Sequence, residues 1–287
     1  MKISQQGGNC RRGAWSVPCF VAALCIAGAA LASDEAQPSS SAWQILREKY
    51  YGDRPMGLVD EKYMSLEAPA TTPDAAATPL TLRFAPDARR PIKRVRVFID
   101  NNPSPLVATI NFANAVPLTE IDTRVRIDRF TSVRAVAETT GGDLEMRSTW
   151  VKASGGCSAP PSAAAGGALG EIRLRPSSDA KSLQVSIRHP NSSGFQIDPR
   201  TGDPIPAHYI SRLRMAAGGK ALLDAELGIS VSENPTVRIA SATPLPAPVT
   251  IDAVDSETQA HFSATWQGAS SAGQAAVSTG AAAHVER

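Results

Sequence analysis

The sequence predicts an all-β protein of two β-sandwich domains, joined by a flexible Gly/Ala/Pro linker and preceded by a short N-terminal helix. Three observations carry this. Short stretches of strict apolar/polar alternation recur along the chain, as in Leu80-Thr81-Leu82-Arg83-Phe84 and Ile121-Asp122-Thr123-Arg124-Val125-Arg126-Ile127. That period of two is the mark of half-buried strands. Turn residues separate them at close intervals, as at Asp100-Asn101-Asn102-Pro103 and Gly141-Gly142. At 287 residues the chain is long enough for two domains, with ordinary apolar content (43 %) but few aromatics (5 %).

Taken in order, the chain opens with an export signal, residues 1–32. Lys2, Arg11 and Arg12 are followed by the apolar run Val17 to Ala30, and Ala30-Leu31-Ala32 is a small-x-small cleavage site before Ser33. Arg11-Arg12 leaves both the general and the twin-arginine export routes open. Three of the four cysteines, Cys10, Cys19 and Cys25, leave with this leader, so Cys157 remains alone and has no internal disulfide partner. The leader takes three basic and no acidic residues, leaving 26 Lys+Arg against 27 Asp+Glu. A near-neutral chain gives no electrostatic case for nucleic acid, and no membrane span is expected once the leader is gone.

Residues 33–61 are a polar tether and a short helix. Trp43, Leu46 and Tyr50 share one helical face, and Gly52, Pro55 and Gly57 end it. Residues 62–153 hold the first sandwich, with strands expected at Leu80–Phe84, Ile92–Ile99, Leu106–Phe112, Ile121–Ile127, Ser132–Glu138 and Leu144–Val151. Lys93, Arg94, Arg96, Arg124 and Arg126 fall mostly on solvent faces of these strands. Residues 154–170 are small, Gly- and Pro-rich, and read as a flexible cysteine arm and linker that cannot order itself. Residues 171–267 resume the alternation with about seven strands. Tyr209–Met215 and Ala221–Leu227 form a hairpin about Gly218-Gly219. Residues 268–287 are Ala/Ser/Gly-rich and expected to be disordered.

Cys157 is the residue with chemistry to offer. Ser154-Gly155-Gly156 before it and Ser158-Ala159-Pro160-Pro161 after it are not the surroundings of an inward-facing strand residue, so the thiol is expected on display. Gly155 and Gly156 would be the hinge of the arm, and Lys152 the cation that favours the thiolate. Around five residues on either side could project the thiol some 15 Å, at roughly 3.3 Å per residue. No catalytic set accompanies it. His189, His208, His261 and His284 form no metal-binding spacing, and Asp122, Asp128, Glu138 and Glu145 form no evident acid/base pair. A nucleophile without acid/base machinery points to a carrier that is not itself an enzyme and needs no metal or cofactor.

Val151-Lys152-Ala153-Ser154-Gly155-Gly156-Cys157 resembles the Gly-Gly-Cys arm of SoxY, which carries sulfur intermediates in periplasmic thiosulfate oxidation. Ile187-Arg188-His189-Pro190, Thr201-Gly202-Asp203-Pro204-Ile205-Pro206-Ala207-His208-Tyr209-Ile210 and Ser232-Glu233-Asn234-Pro235 resemble its partner SoxZ. The one-chain arrangement is similar to the fused SoxYZ-like carriers associated with quinoprotein dehydrogenases. The resemblance implies immunoglobulin-like folds for both halves, Cys157 as the covalent attachment site, and pairing of the two halves within the chain. As partners it implies sulfur-oxidation enzymes or a quinoprotein dehydrogenase system. The SoxY arm usually ends its chain at Gly-Gly-Cys-Gly-Gly, whereas here Ser158-Ala159 follow and the chain continues, so the arm is anchored at both ends.

Overall fold

The structure, a computed structural model, describes residues 40–58, 60, 63–85, 91–113, 116–162, 167–268 and 277–282. The expected leader and most of the tether lie outside these residues.

Helix α1 (Ser41–Tyr51) opens the described chain. Ser40 caps it, its hydroxyl accepting from the Trp43 amide at 3.1 Å, and Gly52 closes it at φ +57° with its amide on Glu48. The buried face is Trp43, Leu46 and Tyr51, with Tyr50 half-buried beside it. Trp43, Tyr50 and Tyr51 pack edge-on around Phe98 at centroid distances of 5.7, 5.2 and 6.3 Å. Beneath Trp43, the buried Arg134 pairs with Asp100 at 3.0 Å, and Asp100 also takes the Ser40 hydroxyl, which fixes the helix to the first sandwich.

The first module contains β1 (Met56–Leu58), β2 (Met64–Glu67), β3 (Thr78–Phe84), β4 (Ile92–Ile99), β5 (Leu106–Phe112), β6 (Leu118–Val125), β7 (Thr131–Thr139) and β8 (Leu144–Val151). The second contains β9 (Ile172–Pro176), β10 (Ser182–Ile187), β11 (Gln196–Ile197), β12 (Pro204–Ile205), β13 (Ile210–Ala217), β14 (Lys220–Leu227), β15 (Thr236–Ser241), β16 (Val249–Asp255), β17 (His261–Trp266) and β18 (Val277–Ala282). Among the described residues the fold is all-β apart from one short helix, as the alternation predicts, and the Gly218-Gly219 hairpin is β13–β14. The tail expectation is corrected at β18. Val277–Ala282 pair with the outer edge of β17 as an antiparallel strand and cover its backbone groups. Residues 269–276 and 283–287 lie outside the described residues.

The two modules share their sheets. One sheet runs β1-β8-β7-β4-β5-β14-β13-β16-β17-β18, and the other β2-β3-β6-β15-β10-β9. The junctions are β5 with β14 and β6 with β15, both antiparallel. Counted outward from these junctions, each module places seven strands in the same chain order, so β5 and β14, and β6 and β15, are equivalent strands meeting edge to edge. This is the self-complementary pairing of an isologous interface, built within one chain. Ile121 of β6 faces Ile239 of β15, both buried, and one apolar core runs through both modules. At the seam a cavity of about 40 Å³ is lined by Leu82, Val97 and Ile121 from one side and Leu213, Leu223 and Val237 from the other. The linker between the modules is therefore not what holds them together. Two strand pairings and a shared core do that work.

Candidate functional site

The cysteine segment leaves β8 at Val151 and crosses from the first module to the second. It is a docked strap and not the free arm expected from its composition. Lys152 bridges Thr71 and gives its amide to the Ala70 carbonyl at 2.8 Å. The Gly155 and Gly156 amides donate to the carbonyls of Asp128 (2.8 Å) and Ile127 (2.9 Å). The far end is held by the second module. The Ser193 hydroxyl donates to the Cys157 carbonyl, Gln196 Nε2 to the Ala159 carbonyl at 2.8 Å, and the Ser162 amide to Glu233 Oε2 at 3.0 Å. Small residues cannot bury an apolar face of their own, but they let the backbone approach other backbone closely, and here it does. Residues 163–166 lie outside the described residues.

The two glycines have different reasons to be glycine. Gly155 adopts φ +77°, and a side chain there would meet nothing within 4 Å. Gly156 lies so close to the backbone beneath that a Cβ would stand 2.1 Å from the Ala75 carbonyl oxygen and 2.6 Å from that of Ile127. Gly156 is thus a seat for the docked strap.

Cys157 is 1 % exposed, which overturns the expectation of a displayed thiol. Burial pushes the thiol up to about 12; Asp128 adds to the rise, and the Arg126 guanidinium works against it. Lys152, expected as the thiolate's cation, is exposed and is not among the charges acting on the thiol. The cation beside the thiol is Arg126, which strand parity had assigned to a solvent face. The strap covers that face, and Arg126 is only 1 % exposed. Its Nη1 donates to the Gly156 carbonyl and its Nη2 to the Asn191 carbonyl, each at 3.3 Å, while Nε has no partner. Among the described residues no carboxylate pairs with it. Burial lowers its proton affinity, with Glu233, Cys157 and Asp74 acting in the opposite sense.

The second module brings together three groups that lie far apart in sequence. His189 Nε2 and His208 Nε2 both approach Asp255 Oδ2, at 3.0 and 2.6 Å, with their rings 4.6 Å apart. Their ligand atoms lie within 4.8 Å of one another, close enough to suggest a metal centre. The hydrogen bonds argue otherwise. The Asn191 amide donates to His189 Nδ1 at 3.0 Å, so the ring proton sits on Nε2 and points at Asp255. A metal on Nε2 would force that proton onto Nδ1, against the Asn191 N–H. Asp255 Oδ1 accepts the amides of Glu257 and Thr258 at 2.8 and 2.7 Å. Burial opposes its charge, but the Thr258 amide and the two imidazoles outweigh it and hold the carboxyl well below the usual range. Burial lowers His189. The group is a hydrogen-bonded clasp, and it fixes residues 189–193, which supply the Asn191 carbonyl to Arg126 and the Ser193 hydroxyl to the strap. Sequence spacing gives no metal motif for His189 and His208 and does not point to Asp255, which lies 66 residues from His189. His261 pairs with Asp252 at 2.8 Å on the surface, and His284 lies outside the described residues.

Two β-sandwich domains share their sheets, and the strap that bears Cys157 crosses their junction. The comparisons give the family. The sulfur oxidation protein SoxY family matches residues 47–157, ending on Cys157 itself, and the sulphur oxidation protein SoxZ family matches residues 172–267. The chain belongs to these families as a fused SoxYZ-like protein, a SoxY domain followed by a SoxZ domain. Among solved structures it is similar to the sulfur carrier protein SoxY from Chlorobium limicola f thiosulfatophilum, at 21 % identity and a TM-score of 0.33 over 39 % of this chain and 96 % of that one. It is also similar to the superoxide reductase (neelaredoxin) from Ignicoccus hospitalis, at 11 % identity and a TM-score of 0.27 over 31 % and 79 %. No curated protein sequence matches the chain. Among the described residues no helix is long and apolar enough to cross a membrane.

Proposed function

We propose that the protein is an exported, periplasmic carrier of sulfur compounds, in which Cys157 holds a sulfur intermediate covalently and presents it to separate enzymes. The supporting observation is the position of Cys157. It is the last residue of the SoxY match, in a strap that hydrogen bonds hold to both modules from Gly155 to Ser162. In the docked strap a thiol pushed up to about 12 is a poor nucleophile, so loading follows lifting of the strap. The lifted thiolate then attacks a divalent sulfur. With tetrathionate as donor, a Cys157 S–S bond forms, the central S–S bond of tetrathionate breaks, and thiosulfate leaves with the electron pair. The thiol proton goes to solvent, and no external oxidant is needed. The chain itself supplies no acid or base to this step. Its residues hide the thiol, release it, and seat it again.

Intact-mass analysis after tetrathionate treatment of the native protein tests this reading. The expected result is one thiosulfate-derived adduct, mapped to Cys157 and removed by thiols. Absence of an adduct on the native chain, with full modification of the urea-unfolded chain, would sink it.

Burial of Cys157 favours a second reading, a non-catalytic accessory protein of a periplasmic quinoprotein dehydrogenase that works through its sandwich surfaces. Cys157→Ser separates the two, since a carrier loses all function and an accessory protein keeps most of it.

A further inference from the structure

The two modules leave a space where their sheets join. In the smaller sheet the β6–β15 pairing ends at Asp122 opposite Arg238. The chain next meets β6 where the Ser232 amide donates to the Arg124 carbonyl and Val231 bridges Val125. Thr123 and Val237 fall in that interval; both line the seam cavity of about 40 Å³, and Thr123 is half-buried at its edge. In the larger sheet β5 and β14 set Ala108 against Leu227 and Ala225 against Ile110, so small side chains stand where large ones would fill the space. Folded interiors leave few voids larger than a water molecule, which makes this one informative. Among the described residues that line it, only Thr123 has a polar side chain and none is charged. A water needs two to four polar partners, so this lining holds water poorly.

We infer that the seam cavity is a binding site for a small, uncharged, apolar molecule of about three heavy atoms, with the chemistry of a short thioether or alkane. The size follows from the volume: a water-sized centre takes about 10–15 Å³, so the cavity admits about three of them. The class follows from the lining. Nothing there would replace the lost hydration of an ion, and one hydroxyl at the edge is too little for a strongly polar ligand. An apolar molecule gains by leaving water and by dispersion contact with the methyl groups around it, and a polarizable sulfur atom suits such a site. Leu82 and Val97 come from the first module and Leu213 and Leu223 from the second, so the bound molecule touches both and adds to the cohesion of the junction. The inference does not rest on the carrier reading, because no residue of the strap lines the cavity.

Dimethyl sulfide and dimethyl sulfoxide test this on the full-length protein, because they share a carbon–sulfur–carbon skeleton and differ by one strongly polar oxygen. Xenon is a third, purely apolar probe. Binding is read from the methyl resonances of the isotope-labelled chain. We expect dimethyl sulfide to give saturable shifts centred on the methyl groups of Leu82, Val97, Leu213 and Leu223, and xenon to move the same set. Dimethyl sulfoxide should bind about tenfold or more weakly, since its oxygen would be buried without a partner. Ala225→Val fills the space from β14 and should abolish the shifts of both apolar probes. If Ala225→Val fails to fold, the sulfide and sulfoxide comparison on the natural sequence still decides. No saturable shift, an equal response to sulfide and sulfoxide, shifts centred elsewhere, or undiminished binding in folded Ala225→Val overturns the inference. Each of these outcomes leaves the carrier reading untouched, since that reading is tested at Cys157.

Discussion

The hydroxyl of Ser193, in the SoxZ domain, donates to the backbone carbonyl of Cys157, at the end of the SoxY domain. One domain thus closes the strap that the other extends. Ser193 Oγ also accepts the Phe195 amide at 3.2 Å, so it is fixed before the strap arrives.

Ser193→Ala removes this closure and leaves the Cys157 carbonyl with one partner fewer. A buried hydrogen bond of this kind contributes about 1–2 kcal/mol. The open fraction of the strap should rise by about five- to thirtyfold, with the overall fold retained. The rate of iodoacetamide labelling at Cys157, followed by mass, reports it. An unchanged rate would show that the bond does not govern opening.

Gly156→Ala should act more strongly than Gly155→Ala. At Gly156 the new methyl collides with the Ala75 carbonyl, and that neighbour is backbone, which cannot swing aside. At Gly155 there is room, and the cost is the positive φ, about 1 kcal/mol. Thiol titration with a chromogenic disulfide should find Cys157 slow in the natural protein, somewhat faster in Gly155→Ala, and close to the unfolded rate in Gly156→Ala.

The strap should loosen at alkaline pH. The docked thiol is raised from 9.0 to about 12, so docking is fully stabilised below pH 9.0 and weakens as pH rises from there towards 12. Protection of the Gly155 and Gly156 amides, corrected for intrinsic exchange, should be flat below pH 9.0 and fall above it. Cys157→Ala should remove the dependence.

At acid pH the clasp should fail in two stages. His189 is lowered by burial, so its contribution is complete above 6.5 and declines as pH falls from there towards its folded value. Asp255 is lowered too, and its contribution declines as pH falls below 3.8. Melting temperature against pH should show both slopes, and His189→Gln should remove the first.

Cutting the chain between residues 162 and 167 should leave the halves together. The β5–β14 and β6–β15 pairings and the shared core do not depend on the linker. The nicked protein should elute as one species in native buffer and part only in denaturant. The intact chain should melt in one transition, and Ile121→Ala should lower the whole of it, at about 2–4 kcal/mol.

The strands were legible because half-buried strands write their exposure directly into sequence. In Leu80–Phe84 the apolar residues Leu80, Leu82 and Phe84 are buried, as their spacing requires. The short strands β1, β2, β11 and β12 lack enough residues to show a period, and they escaped notice. The fusion of the sheets was not legible, because backbone pairing between two edges leaves no local pattern. Nor was the strap's burial. Its bonds come from Asp128, Ser193 and Gln196, tens of residues away, and the composition of residues 154–162 reports only that the segment cannot order itself. Arg126 was misplaced for the same reason: parity correctly set it opposite Val125 and Ile127, but parity cannot know that the chain returns to cover it.

Unbroken sheets across the junction also remove a means of control. Separate subunits can dissociate, exchange and reassemble in different ratios, and a cell can adjust their stoichiometry. Here Cys157, the strap that bears it and the second-module residues that close over it belong to one chain. On the carrier reading, switching then passes through the backbone of the strap, and a partner enzyme would recognise the lifting of a strap and not the assembly of a complex.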